Sequence, residues 1–312
     1  MNILIADKCV PEGIEALEKI GSVTYKPGLS EDELCEAVPE VEALMVRSAT
    51  KVTARVLEAG SKLKVVGRAG IGVDNIDVPA ATLKGIMVCN SPQGNVNAVC
   101  EFAVCLMLNL LRMVPQADKS IREGKWQKTS FLGGELRGRV LGVVGLGNIG
   151  LNVAEFAGRF GMTVVGYDPN PRCDMIEKAG VELLDLDDVF RRADIVTIHT
   201  PLLPSTKGLA SRDRIYSMKP GSYLLNMGRG GTLDETALAD ALNDGHLTGA
   251  ALDVFNVEKP FQENNPLLSC PGLLLTPHTA GNTEEALKKA AVGIAEQFEQ
   301  VGKGKKPTFL LN

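Results

Sequence analysis

Short apolar runs alternate with amphipathic segments along most of the chain. NILIA reads as a strand, and PEGIEALEKI as a helix with proline in its first turn. Ser30 and Glu33 make a capping box for the helix EDELCEAV. EALMV, KLKVVG and IMVC read as further strands, with TARVLEAG and VPAATLKG as the helices between them. One long helix is predicted to fill much of 95–123, and the polar stretch GKWQKTSFLGGELRG follows it. A second alternation supplies the strands RVLGVVG, MTVVGYD, ADIVTIHT, GSYLLNM and HLTGAALDVF, with GLLLTPH as a candidate last strand. TEEALKKAAVGIAEQFEQV is predicted to be an amphipathic helix. Alternation of this kind predicts an α/β protein with mostly parallel sheets.

Composition narrows the class. A chain of 312 residues favours two domains. A net charge of −5 gives no sign of nucleic-acid binding. MNILIAD carries no secretory signal, and the apolar stretch Ala98–Val114 is interrupted by Glu101, Asn109 and Arg112. That stretch is expected to be a buried or interface helix and not a membrane span. The seven cysteines show no metal-ligand or redox spacing, so they are expected to be reduced thiols in a cytoplasmic protein with no bound metal.

The sharpest motif is VLGVVGLGNIG. Gly145, Gly147 and Gly150 form G-x-G-x-x-G after an apolar run and at the start of a helical segment. The first glycine permits the tight turn, the second lets the backbone approach a pyrophosphate, and the third lets helix and strand pack closely. The next run ends in Asp168, 18 residues beyond Gly150. An acid there accepts hydrogen bonds from ribose hydroxyls and repels a 2′-phosphate, which favours NAD over NADP. The bland reading is that Asp168 caps the turn at DPNP, and Arg172 nearby weakens the exclusion of NADP.

Arg229, Glu258 and His278 each lie just past an apolar run of the second alternation. Such strand ends share one edge of a parallel sheet. A fixed cation can hold a carboxylate and polarise a neighbouring carbonyl, a histidine can exchange the hydroxyl proton, and a carboxylate can orient the histidine. The plain alternatives are a structural ion pair for Arg229 and a solvated charge for Glu258. His199 also ends a strand, and spacing alone places His278 only slightly ahead of it; His246 reads as structural.

The motifs VRSATKVT, VVGRAGIGVDNID, GLGNIG, GYDP, HTPLLPST, GRGG, GAALDVF and TPHTAGNT, taken together, resemble the D-isomer-specific 2-hydroxyacid dehydrogenases over essentially the whole chain, and among them the D-3-phosphoglycerate dehydrogenases. The resemblance implies two Rossmann-like, doubly wound domains. Residues 1–93 and 281–312 would form a discontinuous substrate-binding domain, with an NAD-binding domain at 94–280 and the active site in a cleft. It assigns Arg229 to the substrate carboxylate and carbonyl, with Glu258 supporting His278 as proton donor. The glycines beside Arg229 would then leave room for substrate and nicotinamide. NAD contacts are implied at Asn148, Ile149, Asp168, Thr200, Met227, Gly228, Arg229, Asp253 and from His278 to Gly281, besides the glycine loop; His199 is placed at the cofactor cleft by its strand end alone. Backbone amides at Gly70 and Ile71 would help hold the substrate carboxylate.

The implied substrate is a small 2-hydroxy or 2-oxo acid carrying a phosphate, with no nucleic-acid or membrane partner. Arg47 and Arg68 are the candidate phosphate ligands, against a plain reading as surface arginines. The expected activity is NAD-dependent oxidation of D-3-phosphoglycerate to 3-phosphohydroxypyruvate, the first step of serine biosynthesis. Lys128 in the QKTSF arm stands where close relatives are richer in basic residues, which keeps a hydroxypyruvate or glyoxylate reductase, or another D-2-hydroxyacid dehydrogenase, in view. A non-catalytic NAD-sensing protein is the alternative of another class. Many such dehydrogenases continue into serine-sensing domains; this sequence ends at Asn312, so serine inhibition is not expected. The family is usually dimeric, which places the helix after residue 95 and the arm around Trp126 at a homodimer interface.

Overall fold

The structure is a computed structural model, and it describes residues 1–258 and 265–312. The chain divides into two compact units, Met1–Val96 with Gly281–Asn312, and Asn97–Ala280.

In the first unit β1 (Asn2–Ile5), β2 (Ser22–Tyr25), β3 (Ala43–Val46), β4 (Val65–Arg68) and β5 (Met87–Asn90) form a parallel sheet in the order β2-β1-β3-β4-β5. Side chains alternate across it with period two. Leu4, Leu44, Val46 and Val66 join one buried layer; Ile3, Ile5, Ala43, Met45 and Val65 join the other. The helix Glu284–Gly302 belongs to this second layer through Ala290, Ala291, Ile294 and Phe298. Fully burying side chains such as Ile294 and Phe298 stabilises a fold by about 2 kcal/mol each. Ser30 caps Glu31–Ala37 through the capping box read from sequence.

In the second unit β6 (Val140–Val144), β7 (Thr163–Tyr167), β8 (Val181–Leu183), β9 (Ile195–Ile198), β10 (Ser222–Asn226), β11 (Leu247–Leu252) and β12 (Leu273–Leu275) form a parallel sheet in the order β12-β11-β10-β9-β6-β7-β8. Core layers cover both faces, so the strands read as nearly continuous apolar runs. Both units are Rossmann-like α/β layers, as the alternation predicts.

One expectation needs correction. The single helix over 95–123 is two, Val96–Arg112 and Val114–Arg122, broken at Met113, whose φ is 50°. Pro115 is the cause. It has no N–H, and its ring clashes with the carbonyl four residues back, which belongs to Leu111. That carbonyl instead accepts the N–H of Gly134 at 3.0 Å. Strands β2 and β8 were not legible, because SVTY is mostly exposed and VEL buries only Val181.

Candidate active site

The order of strands in the seven-stranded sheet reverses between β6 and β9. In sheets of this kind a ligand binds where the loops leaving the carboxyl ends of two such strands part. The loop after β6 is the glycine motif. Gly145 has φ 94°, and a Cβ on Gly150 would lie 1.9 Å from the Gly145 carbonyl oxygen, so both positions require glycine. Gly147 precedes the helix Asn148–Arg159, and no side chain caps that helix. First-turn amides, including those of Asn148 and Ile149, have no partner within the helix and point to an anion. Asp168 ends up beside this loop. Its Oδ2 accepts the Leu146 N–H at 2.8 Å and its Oδ1 accepts the Asn170 N–H at 2.9 Å, so it caps its own turn and fastens the glycine loop together. Arg172 donates to Asn148 Oδ1 at 3.2 Å, at the same helix end.

At the end of β9, His199 shares a 3.0 Å hydrogen bond between Nε2 and Thr197 Oγ1. Its Nδ1 and the Thr200 hydroxyl are sealed from solvent without a hydrogen-bond partner. Burial pushes the His199 imidazole down to about 4, so it is neutral near pH 7 and is no general acid there. Orphaned polar atoms beside an uncapped helix start are what a polar ligand would satisfy. The residues present therefore fit the phosphates and ribose of a dinucleotide.

Arg229 leaves the end of β10 in a tightly held turn. Asn226, 1% exposed, donates to the Arg229 carbonyl at 3.1 Å and accepts the Gly228 N–H at 3.1 Å. The Thr232 hydroxyl donates to the same Arg229 carbonyl at 2.7 Å. The flanking glycines do not leave room for a ligand, contrary to the expectation. A Cβ on Gly228 would lie 2.6 Å from the Thr200 carbonyl oxygen, and one on Gly230 1.7 Å from that of Phe255. Protein backbone fills the space, and the glycines let the loops after β9, β10 and β11 close on one another. The N–H groups of Met227 and Gly228 are also engaged, by Ile198 and Asn226.

Glu258 follows β11 and His278 follows β12, which is paired to β11. His278 Nδ1 lies 2.6 Å from Glu258 Oε1. Such a bond fixes the proton on Nδ1 and leaves Nε2 for chemistry. The His278 backbone is left-handed, with φ 52°. Its N–H donates to the Asp253 carbonyl at 2.9 Å and to the Thr276 carbonyl at 3.0 Å. The Asp253 carboxylate, 1% exposed, accepts from Thr276 Oγ1 at 2.6 Å, Thr279 N at 2.8 Å and Ala280 N at 2.9 Å. Asp253 thus shapes the turn that carries His278. Arg229, Glu258 and His278 all stand beyond the carboxyl ends of three adjacent strands.

The remaining candidates lie in the first unit. Arg47 follows β3 and Arg68 ends β4. Asp7 accepts the Arg47 N–H at 2.6 Å, and Arg68 Nε donates to Asn75 Oδ1 at 3.1 Å. Asn75 Nδ2 donates to the Arg47 and Thr50 carbonyls at 2.8 and 2.6 Å, which ties the two arginine segments together. The Gly70 N–H donates to the Arg68 carbonyl at 2.8 Å, so this amide is already engaged, and the Ile71 carbonyl accepts from Asn90 at 2.6 Å. Gly281 packs on Asn95, 2.6 Å from a would-be Cβ. Among the described residues no three His, Cys, Asp or Glu side chains are grouped to hold a metal ion.

Sequence reasoning missed Asn226, Thr232, Asn75 and Thr276. A buried polar residue closing an apolar strand, as in SYLLN, was the available signal for Asn226. The others bond across loops and left no local pattern.

Known proteins place the chain. Residues 104–280 match the family model of the D-isomer specific 2-hydroxyacid dehydrogenase, NAD binding domain. A D-3-phosphoglycerate dehydrogenase of Synechocystis sp. is 45% identical over 96% of this chain and 54% of its own length. One of Methanocaldococcus jannaschii is 44% identical over 100% of this chain and 59% of its own. The chain spans little more than half the length of these relatives. The TT0316 protein of Thermus thermophilus superposes with a TM-score of 0.90 at 32% identity, covering 100% of both chains. The chain belongs to the D-isomer specific 2-hydroxyacid dehydrogenase family, and its residues 104–280 are the NAD-binding domain of that family.

Proposed function

We propose that the chain catalyses the NAD-dependent interconversion of D-3-phosphoglycerate and 3-phosphohydroxypyruvate. The observation that carries the reading is the His278–Glu258 pair at 2.6 Å, set at the same strand-end edge as Arg229. The names of the relatives that are 45% and 44% identical support the choice of substrate.

NAD, when bound, supplies the acceptor or donor of the hydride. Arg229 holds the substrate carboxylate and polarises the adjacent carbonyl, drawing charge onto its oxygen. His278, through Nε2, takes the hydroxyl proton in oxidation and returns it in reduction. Glu258 keeps the ring in the tautomer with its proton on Nδ1 and offsets the positive charge when the ring is doubly protonated. The first-turn amides at 148–150 hold the pyrophosphate, and Asp168 accepts from the adenosine ribose, favouring NAD over NADP. Arg47 and Arg68 bind the substrate phosphate, for which a planar guanidinium fork is suited. The protein is read as a cytoplasmic homodimer with no nucleic-acid or membrane partner, acting at the entry to serine biosynthesis.

The test is a screen of phosphohydroxypyruvate, hydroxypyruvate, glyoxylate, pyruvate and 2-oxoglutarate, followed by loss of NADH absorbance. The expected result is a kcat/KM for phosphohydroxypyruvate well above the rest, with Arg68→Ala raising KM for that substrate far more than for hydroxypyruvate. Preference for an unphosphorylated acid, or an equal effect of Arg68→Ala on both, overturns the phosphate assignment.

A further inference from the structure

We infer that Asn256 and Glu235 form a latch that fixes the loop of Arg229 to the loop of Glu258. The inference rests on the roles proposed above for those two residues. Asn256 Oδ1 accepts the Gly231 N–H at 2.6 Å, and the Asn256 N–H donates to Glu235 Oε1 at 2.6 Å. Gly231 lies two residues beyond Arg229, and Asn256 two residues before Glu258. Glu235 opens the helix Glu235–Asn243, which is rooted in the core by Ala237, Leu238, Ala241 and Leu242. Two hydrogen bonds therefore run from a buried helix, through an exposed asparagine, to the arginine loop.

This connection matters because the reacting pair has little packing of its own. The side chains of His278 and Glu258 are 40% and 55% exposed. Exposed pairs contribute little unless their geometry is imposed from elsewhere. Catalytic groups displaced by about 1 Å lose on the order of a hundredfold in rate. The Gly230–Phe255 backbone contact closes one side of the two loops, and the latch closes the other. Burial pushes the Glu235 carboxyl up, and the Asn256 amide, donating to the carboxylate, opposes that shift. Asn256 and Glu235 touch neither substrate nor cofactor in this scheme; they are positioning residues.

The experiment compares Asn256→Ala, Glu235→Ala and Glu235→Gln in the full chain. Glutamine keeps the acceptor oxygen and removes only the charge. Amide hydrogen exchange of the 229–232 segment is measured without substrate, and kcat and KM with NADH and phosphohydroxypyruvate. Both alanine variants should exchange 229–232 about tenfold faster and lose about tenfold in kcat, the scale of one lost hydrogen bond. KM for NADH should move less than about twofold, since the glycine loop is untouched. Glu235→Gln should stay near wild type, and exchange in 140–144 should not change in any variant. Unchanged exchange at 229–232 in Asn256→Ala, or a loss in Glu235→Gln equal to that in Glu235→Ala, overturns the latch. A wild-type chain that reduces none of the 2-oxo acids, while 229–232 still responds to Asn256→Ala, would instead sink the proposed function.

Discussion

His278 shows how a single residue is made ready for work. Its φ of 52° is sparsely populated by side chains other than glycine, although histidine tolerates it better than most. Holding such a conformation costs on the order of 1 kcal/mol or more, which the four hydrogen bonds around Asp253 described above offset. His278→Ala should cut turnover by about 10²–10⁴-fold, the range for a lost general acid or base, with NADH still bound. Near-normal turnover would remove His278 from the mechanism. His199 carries a different prediction. Folded, its imidazole stays neutral down to about pH 4, against an ordinary value of 6.5. Between those values the unfolded chain binds the proton and the folded chain does not. Stability therefore falls as pH drops through that window, by on the order of 3 kcal/mol in full. The urea midpoint of wild type should fall more steeply from pH 6.5 toward 4 than that of His199→Gln; parallel slopes would refute the buried neutral imidazole.

At the scale of the element, the turn from β6 into the helix Asn148–Arg159 separates fold from ligand. A Cβ at Gly150 meets the Gly145 carbonyl oxygen at 1.9 Å, whereas one at Gly147 meets nothing within 4 Å. Gly147 has φ −72° and ψ −164°, extended backbone open to any residue. Gly147→Ala should thus keep stability to within about 1 kcal/mol. Its NAD dissociation constant should still rise at least about tenfold, because the methyl stands where a pyrophosphate would approach. Gly150→Ala should lower both thermal stability and NAD affinity. Equal losses of stability in the two variants would show that Gly147 is needed by the fold and not by a ligand. The same elements show what the sequence made legible. SYLLN, LTGAAL and LLL are apolar because core layers cover both faces of their sheet, so the strand ends that carry Arg229, Glu258 and His278 were readable. The break at Met113 turned on a single proline inside an apolar helical pattern. Asn256 and Glu235 bond to backbone groups brought near by tertiary approach, and no spacing encodes that. The room around Arg229 was misread for a related reason: glycine signals close approach but does not say what approaches.

For the molecule as a whole, the question is what covers the end of the first long helix and the segment after it. Leu108, Val114, Ile121, Trp126 and Leu132 are 37%, 51%, 56%, 85% and 90% exposed, and all fall within one stretch of the NAD-binding unit. Large apolar side chains left exposed along one stretch are what an interface with another chain would cover. Among the described residues no single helix is long and apolar enough to cross a membrane; Val96–Arg112 and Val114–Arg122 reach that length only together, across a 60° bend. Val99, Cys100, Ala103, Met107 and Leu111 commit the first of these helices to the core, so that face is not offered to lipid. A second copy of the chain is the occupant consistent with the proposed homodimer. The only tryptophan lies in the segment and reports on it. In sedimentation velocity at micromolar concentration the wild type should run at twice the mass of the 33.2 kDa chain. Leu132→Asp should shift it toward one chain mass and move Trp126 emission to longer wavelength, because a charge in an apolar contact is costly to desolvate. A wild type that sediments as a single chain, with emission unaltered by Leu132→Asp, would leave this apolar arm without a partner and end the dimer reading.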